Sequence, residues 1–302
     1  MPAAPITFFN RLTQRIETEA VYGEGFLRFT YESPLGALPL HALVKRAAFS
    51  RWYGSRMDAP ASRAKVAPFL ATYGVDIHEF THTPDSFRTF NEFFYRKLKP
   101  QARPIAAGEN EIAFPADGRH LVLPDIAACG DFFIKGTRFD LAALLGDAAL
   151  AQRFAHGSML ISRLCPVDYH RFHFPFSGTP GTAKQINGPL YSVSPIALRK
   201  RPSILWENKR EITTLRTPSL GDVLLLEVGA TCVGSIVQTY TPEVAITKGD
   251  EKGYFRFGGS CFITIFEPGR VRFADDLIEH SRAGREVYAR MGDVAAKAQS
   301  VI

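Results

Sequence analysis

Apolar residues recur at helical spacing early in the chain, in Phe8, Leu12 and Ile16 and again in Leu40, Leu43, Val44 and Ala47. That i, i+3/i+4 pattern predicts a mostly helical region from residue 5 to about residue 100. From about Pro100 the texture changes to short β-rich runs punctuated by Gly and Pro, as in GDVLLLEVGATCVGSIV (221–237) and GYFRFGGSCFITIFEPG (253–269). One helix is expected to interrupt them, Leu141 to Phe154, with Asp140 as its N-cap. The polar stretch from Asp275 to Ile302 reads as a surface helix or tail. The pattern predicts an α+β chain with a helical N-terminal region (1–100) and a β-rich domain (101–302), in which the apolar strand after Ser260 is central.

A chain of 302 residues that is 46% hydrophobic can bury a sizeable core, which excludes disorder as the ground state. Its 36 basic and 30 acidic residues leave a net charge of +6, which favours an anionic partner, either a membrane surface or a nucleic acid. No nucleic-acid motif accompanies the charge. Cys129, Cys165, Cys232 and Cys261 form no CxxC pair, so neither a zinc site nor a disulfide framework is indicated. No secretory h-region opens the chain, and no run of roughly 18 apolar residues offers a spanning helix. The stretch SPLGALPLHALVKRAAFSRWYGSR (33–56) interleaves Leu, Phe, Trp and Tyr with Lys45, Arg46, Arg51 and Arg56. That composition suits a helix lying in a lipid interface and equally a helix that packs one domain on another.

Three segments concentrate groups able to act as acid, base or nucleophile: FPADGRH (114–120), CPVDYHRFHFP (165–175) and FRFGGSCF (255–262). Asp117 before Gly118 is in the first instance a turn former. His170 and His173 stand three apart in a segment of strand composition, where i and i+3 point to opposite faces, so one of them faces a given site unless the strand bends. Their spacing is not that of a helical zinc site, and no metal is expected. Gly258-Gly259-Ser260 is the most informative piece, because two glycines in an apolar strand run weaken it. They mark either a tight bend or a carbonyl left uncrowded for attack by the Ser260 hydroxyl. The setting is not the G-x-S-x-G elbow of hydrolases.

With these residues in view, the chain resembles the phosphatidylserine decarboxylases from about Thr89 to Phe273. The pieces that carry the resemblance are TFNEFFYRKLKPQARPI (89–105), FPADG (114–118), DYHRFHFP (168–175), GPLYSV (188–193), VGATCVGSI (228–236), KGDEKGYFRFGGS (248–260) and IFEPGRV (265–271). The resemblance implies a self-made pyruvoyl cofactor: Ser260 attacks the Gly259 carbonyl, the ester eliminates to dehydroalanine, and hydrolysis releases ammonia. Asp117 would orient His173, His173 would be the base and Ser260 the nucleophile, while His170 would handle protons during decarboxylation. The pyruvoyl carbonyl would then take the amine of phosphatidylserine as a Schiff base, and phosphatidylethanolamine would be the product.

The resemblance also implies two cleaved chains, 1–259 and 260–302, held together as a heterodimer, and leaves room for a homodimer. A lipid substrate gives the basic, aromatic 33–56 segment a use at the cytoplasmic face of the cell membrane as a peripheral anchor. Cys261 departs from the Thr or Ser that more often follows the serine, and a thiol is a weaker hydrogen-bond donor there. Two other readings stand beside this one: a pyruvoyl-dependent decarboxylase of another amino-acid substrate, and a non-catalytic β-rich binding protein.

Overall fold

The apolar run at 260–266 forms a strand whose seven residues are all buried, and the other elements are arranged around it. The computed structural model describes residues 5–40, 45–128, 139–231, 235–258 and 260–299. The chain opens with a hairpin, β1 (Thr7–Asn10) and β2 (Arg15–Thr18), followed by helices α1 (Glu24–Glu32), α2 (Pro34–Pro39), α3 (Ala47–Asp58), α4 (Val66–Tyr73) and α5 (Phe90–Phe94). Strands β3 (Glu111–Ala113) and β4 (Gly118–Leu123) precede two short helices, α6 (Leu141–Leu145) and α7 (Ala148–Phe154). Then come β5 (Ser158–Leu164), β6 (Arg171–His173), β7 (Thr179–Pro180), β8 (Lys184–Ile186), the helical turns α8 (Pro195–Leu198) and α9 (Ile204–Glu207), and a long hairpin, β9 (Arg210–Thr217) with β10 (Gly221–Val228). The last part holds β11 (Ile236–Gln238), β12 (Glu251–Phe255), β13 (Ser260–Phe266), β14 (Val271–Phe273), α10 (Asp275–Arg282), β15 (Glu286–Ala289) and β16 (Val294–Ala298).

The main sheet has the order β2-β1-β15-β4-β5-β13-β10-β9-β7, with β8 also on β9. Two smaller sheets run β11-β12-β6 and β14-β16-β3. Side chains alternate across β10 and β13, so each strand feeds two cores. Cys261, Ile263 and Ile265 join one cluster with Leu224 and Leu226. Phe262 and Phe266 join the other with Val223 and Leu225. A third cluster is built of aromatic rings from α4, α5 and the segments beside them, and it takes in Phe257.

Three expectations are corrected. Residues 7–18 form a hairpin and not a helix, turning through Gln14 at φ 56° and Leu12 N, which donates to Asn10 Oδ1 at 3.0 Å. Phe8, Leu12 and Ile16 do not share one face: Phe8 is buried against the sheet while Leu12 and Ile16 are exposed. What overrides the helical spacing is β15, which offers β1 a parallel partner from the far end of the chain. That same far end is no tail, since Val287 and Ala289 are buried in alternation with Glu286 and Tyr288, and β15 and β16 enter two different sheets. The helix expected over 141–154 is two helices, broken where Gly146 takes φ 61° and Asp147 caps the second through Leu150 N at 3.0 Å.

The remaining helical expectation holds from α1 to α5, though residues 41–44 of the 33–56 segment lie outside the described residues. Among the described residues no helix is long and apolar enough to cross a membrane. Cys165 and Cys261 are buried free thiols, and Cys129 and Cys232 lie outside the described residues.

Candidate active site

Strand register brings the three sequence segments to one end of the main sheet. Arg119 on β4 pairs with Arg163 on β5, and Leu164 on β5 pairs with Ser260 on β13. Asp117, just before β4, therefore stands at the same end of the sheet as Ser260 and two strands away, about 10 Å at ordinary strand spacing. The histidines arrive on the segment that follows β5: His173 pairs with Glu251 on β12, and the His170 carbonyl accepts Phe255 N at 2.9 Å. Phe255 in turn leads into the residues before Ser260.

Helix α5 holds that segment in place. Thr89 caps it through Glu92 N at 3.1 Å, and Asn91 Oδ1 accepts Phe257 N at 2.8 Å while its Nδ2 donates to Asp58 at 2.8 Å. Phe257 meets Phe94 and Phe90 edge to face, with ring centroids 4.9 and 5.1 Å apart. Phe94 also lies against the His170 ring at 3.8 Å. The backbone then reaches Gly258 at φ 137°, a region that L side chains rarely adopt. Gly259 lies outside the described residues. Ser260 is fully buried, and its Oγ has no hydrogen-bond partner among the described residues.

Both histidines donate from Nδ1 to a backbone carbonyl, and they differ in whether Nε2 is engaged. His170 Nδ1 donates to the Asp168 carbonyl at 3.0 Å, since a carbonyl can only accept, and Nε2 is left without a partner among the described residues. Burial pushes its pKa down to about 3; the nearby Gly258 carbonyl favours the protonated ring without closing a hydrogen bond to Nε2. At neutral pH Nε2 therefore carries an open lone pair. His173 Nδ1 donates to the Gly249 carbonyl at 2.9 Å, and Nε2 accepts the Tyr169 hydroxyl at 3.2 Å. Burial holds His173 below the usual histidine range as well.

Asp117 does not bond to His173. Its Oδ1 accepts Arg103 Nε and Met291 N, each at 2.8 Å, and its Oδ2 accepts Arg103 Nη2 at 2.6 Å. The tautomer of His173 is set here by the Gly249 carbonyl. Beside this pair Arg119 Nη1 grips Asp168 at 2.7 Å, and Arg163 bridges Glu19 at 2.6 Å and Glu286 at 2.5 Å. Burial alone would raise the Glu19 carboxyl, but Arg163 and Arg119 bring it down to about 2. Burial raises Asp168 despite Arg119.

An apolar cavity of about 410 Å³ reaches Gly258, walled by Phe26, Leu27 and Tyr31 of α1 and by Phe49 and Tyr53 of α3. The Cys261 side chain alternates with that of Ser260 and packs into a core with Ile263.

The family model described as phosphatidylserine decarboxylase matches residues 90–295, which include Arg103, Asp117, His170, His173 and Ser260. The chain belongs to the phosphatidylserine decarboxylase family. Among its relatives, a protein of Fusobacterium nucleatum subsp. nucleatum is 43% identical over 95% of this chain and 96% of its own. One of Chlamydia felis is 44% identical over 95% and 96%. One of Clostridium novyi is 43% identical over 95% and 98%. Each is named a phosphatidylserine decarboxylase proenzyme.

Sequence reasoning named Asp117, His170, His173 and Ser260 and missed Arg103, Tyr169 and the α5 clasp. Arg103 stands in the QARPI piece, where a lone Arg between Ala and Pro was the available signal.

Two fully buried imidazoles, His170 and His120, have pKa values depressed from 6.5 to about 3. A depressed base stabilises the fold above its unfolded pKa and loses that contribution as pH falls toward the folded value. We therefore expect each to forfeit about 2 kcal/mol between pH 7.5 and pH 5. Glu19, depressed from 4.5 to about 2, adds its loss only below pH 4.5. Urea unfolding at pH 7.5, 6 and 5 should show a falling midpoint, and a constant midpoint across that range would contradict the burial account.

Proposed function

We propose that this chain is a self-processing phosphatidylserine decarboxylase, a carboxy-lyase that is cleaved between Gly259 and Ser260 and converts phosphatidylserine to phosphatidylethanolamine. The observation that carries the reading is the Ser260 hydroxyl: it is buried, unpartnered among the described residues, and stands two residues after Gly258 at φ 137°. Leaving a buried hydroxyl unsatisfied costs about 1–3 kcal/mol, a cost that a nucleophile awaiting its reaction explains.

In this reading Ser260 Oγ adds to the Gly259 carbonyl carbon, the C–N bond breaks, and the proton passes to nitrogen, leaving an ester and a free amine. Loss of the Cα proton and of the Gly259 carboxylate gives dehydroalanine. Water then displaces the nitrogen as ammonia. His173 is the base for Ser260, with Tyr169 yielding Nε2 to the serine and the Gly249 carbonyl holding Nδ1, while Asp117 acts on the imidazole through its charge rather than through a hydrogen bond. A second assignment of the base is favoured by one observation, the open Nε2 of His170 beside Gly258.

The residues suit a pyruvoyl group at position 260, because the Ser260 hydroxyl is unpartnered among the described residues and Gly258, two residues before it, lies beside both the open His170 nitrogen and the apolar cavity. Bound there, such a group supplies a carbonyl that draws electrons from the substrate as carbon dioxide leaves. His170 Nε2 then holds or returns the proton at the carbon that lost carbon dioxide, and the aromatic walls of the cavity exclude water. Both cleaved chains, 1–259 and 260–302, stay in one fold, since β13 lies between β5 and β10 and β15 between β1 and β4.

The helices before residue 100 present the membrane-facing surface. Phe26, Phe29, Leu35, Leu38 and Trp52 are exposed, and Phe26 also lines the cavity, so one surface joins a bilayer to Gly258. This surface and the net charge of +6 support the reading of peripheral attachment at the cytoplasmic face of the cell membrane.

Intact mass spectrometry of the purified protein should show two fragments, the smaller beginning with a pyruvoyl group, and one full-length species for Ser260→Ala. His173→Ala should stay whole and His170→Ala should cleave if His173 is the base. The reverse pattern selects His170, and a wild-type chain that never cleaves contradicts the proposal. Sedimentation with anionic vesicles should carry the wild type down and leave a Leu35→Ser/Leu38→Ser/Trp52→Ser variant mostly in solution. Equal sedimentation of the two would remove this surface as the anchor.

A further inference from the structure

The Asp117 carboxylate is only 1% exposed and depends on one cation. Arg103 Nε reaches Oδ1 at 2.8 Å and Oδ2 at 3.0 Å, Arg103 Nη2 reaches Oδ2 at 2.6 Å, and among the described residues the one other donor is Met291 N. The same guanidinium is fixed from behind, where Nη1 donates to the Ala102 carbonyl at 2.6 Å and pairs with Glu79 at 3.0 Å. Glu79 in turn meets Arg290 at 3.3 Å. Arg103 is thus held on both sides, with its planar fork turned toward Asp117.

We propose that Arg103 is a positioning residue for self-cleavage, holding the Asp117 carboxylate as an oriented anion beside His173 in a way that lysine cannot reproduce. The proposal rests on the assignment of Asp117 to the cleavage site. A guanidinium fork meets both carboxylate oxygens at fixed angles, whereas an ammonium is a point charge on a flexible stem. With Arg103 removed, Asp117 keeps only the Met291 N–H. A buried carboxyl without its cation takes up a proton, and the neutral acid no longer stabilises the imidazolium formed when a histidine accepts the serine proton.

The other charged and titratable groups around Asp117 do not replace Arg103. Asp168 is held by Arg119, and Tyr169 and His173 are bonded to each other. Tyr288 lies at the end of β15 with its hydroxyl titrating high because it is buried, and Arg290 is engaged with Glu79. Arg96 is a further cation; among the described residues its hydrogen bond runs from Nη2 to the Val167 carbonyl at 3.3 Å, Nε and Nη1 have no partner, and its guanidinium stacks over Phe80 and Phe93. Its charge acts on Asp117 only from a distance and softens the loss.

The test follows self-cleavage of freshly translated full-length chain from pH 5.5 to 9 for wild type, Arg103→Met, Arg103→Lys and Asp117→Asn. We expect the acidic limb of the Arg103→Met profile to move up by about one to three pH units, slowing cleavage on that limb about tenfold per unit, with recovery at high pH. Arg103→Lys should show a smaller shift in the same direction, and Asp117→Asn should be slow at every pH. An unmoved limb in both Arg103 variants, whether their rates are normal or uniformly reduced, overturns the proposal while a slow Asp117→Asn leaves the site assignment standing. Wild-type cleavage by Asp117→Asn overturns the site assignment itself. Should Arg103→Met fail to fold by circular dichroism, the Arg103→Lys limb decides alone.

Discussion

One five-residue helix ties the two parts of the site together. Phe94 of α5 lies on His170 at 3.8 Å, and the same helix grips Phe257 through ring contacts and through Asn91. Were α5 to shift, the candidate base and the backbone before Ser260 would lose their common support. Aromatic contacts of this kind contribute about 0.5–1.5 kcal/mol each beyond the area they bury, so several of them hold a segment that carries glycines and would otherwise move. On the other side Ser260 begins a strand buried on both faces between β5 and β10. Ser260 thus opens a buried strand, and the segment through Gly258 that precedes it is clasped by α5.

The site is dry on one side and ionic on the other. Toward the helices lies the apolar cavity at Gly258; on the side of Asp117, arginines and carboxylates are paired away from water. Buried pairs of this type add little net stability compared with apolar residues of the same shape, but removing one member leaves a charge stranded. Their value here is in holding Asp117, Asp168 and the β5–β6 connection in register with the strand that carries Ser260.

Much of this was legible in the residues. The run SCFITIF could only be a buried strand, and the two glycines before it marked the unusual backbone. Asp117, His170, His173 and Ser260 stood out in three short segments, but their roles came from the resemblance to the family and not from the segments themselves. The hairpin at 7–18 was not legible, because its partner β15 lies more than 260 residues away and spacing alone favours a helix. At the end of the chain α10 answers to the expected surface helix, but the strands after it were missed for the same reason, since β15 lies between β1 and β4 and β16 between β14 and β3, pairings that a polar stretch does not reveal. Arg103 and Tyr169 escaped because ion pairs and hydroxyl contacts are set by the fold and leave no period in the sequence. Which histidine nitrogen is open depends on the Asp168 and Gly249 carbonyls, and backbone acceptors carry no residue signature.

The most direct measurement is release of labelled carbon dioxide from phosphatidylserine labelled in the serine carboxyl, presented in vesicles to the purified wild type and to Ser260→Ala. The account predicts steady release and stoichiometric phosphatidylethanolamine from the wild type, and none above background from Ser260→Ala. Equal release by the two proteins, or no release by a wild type that has fully cleaved, would contradict it.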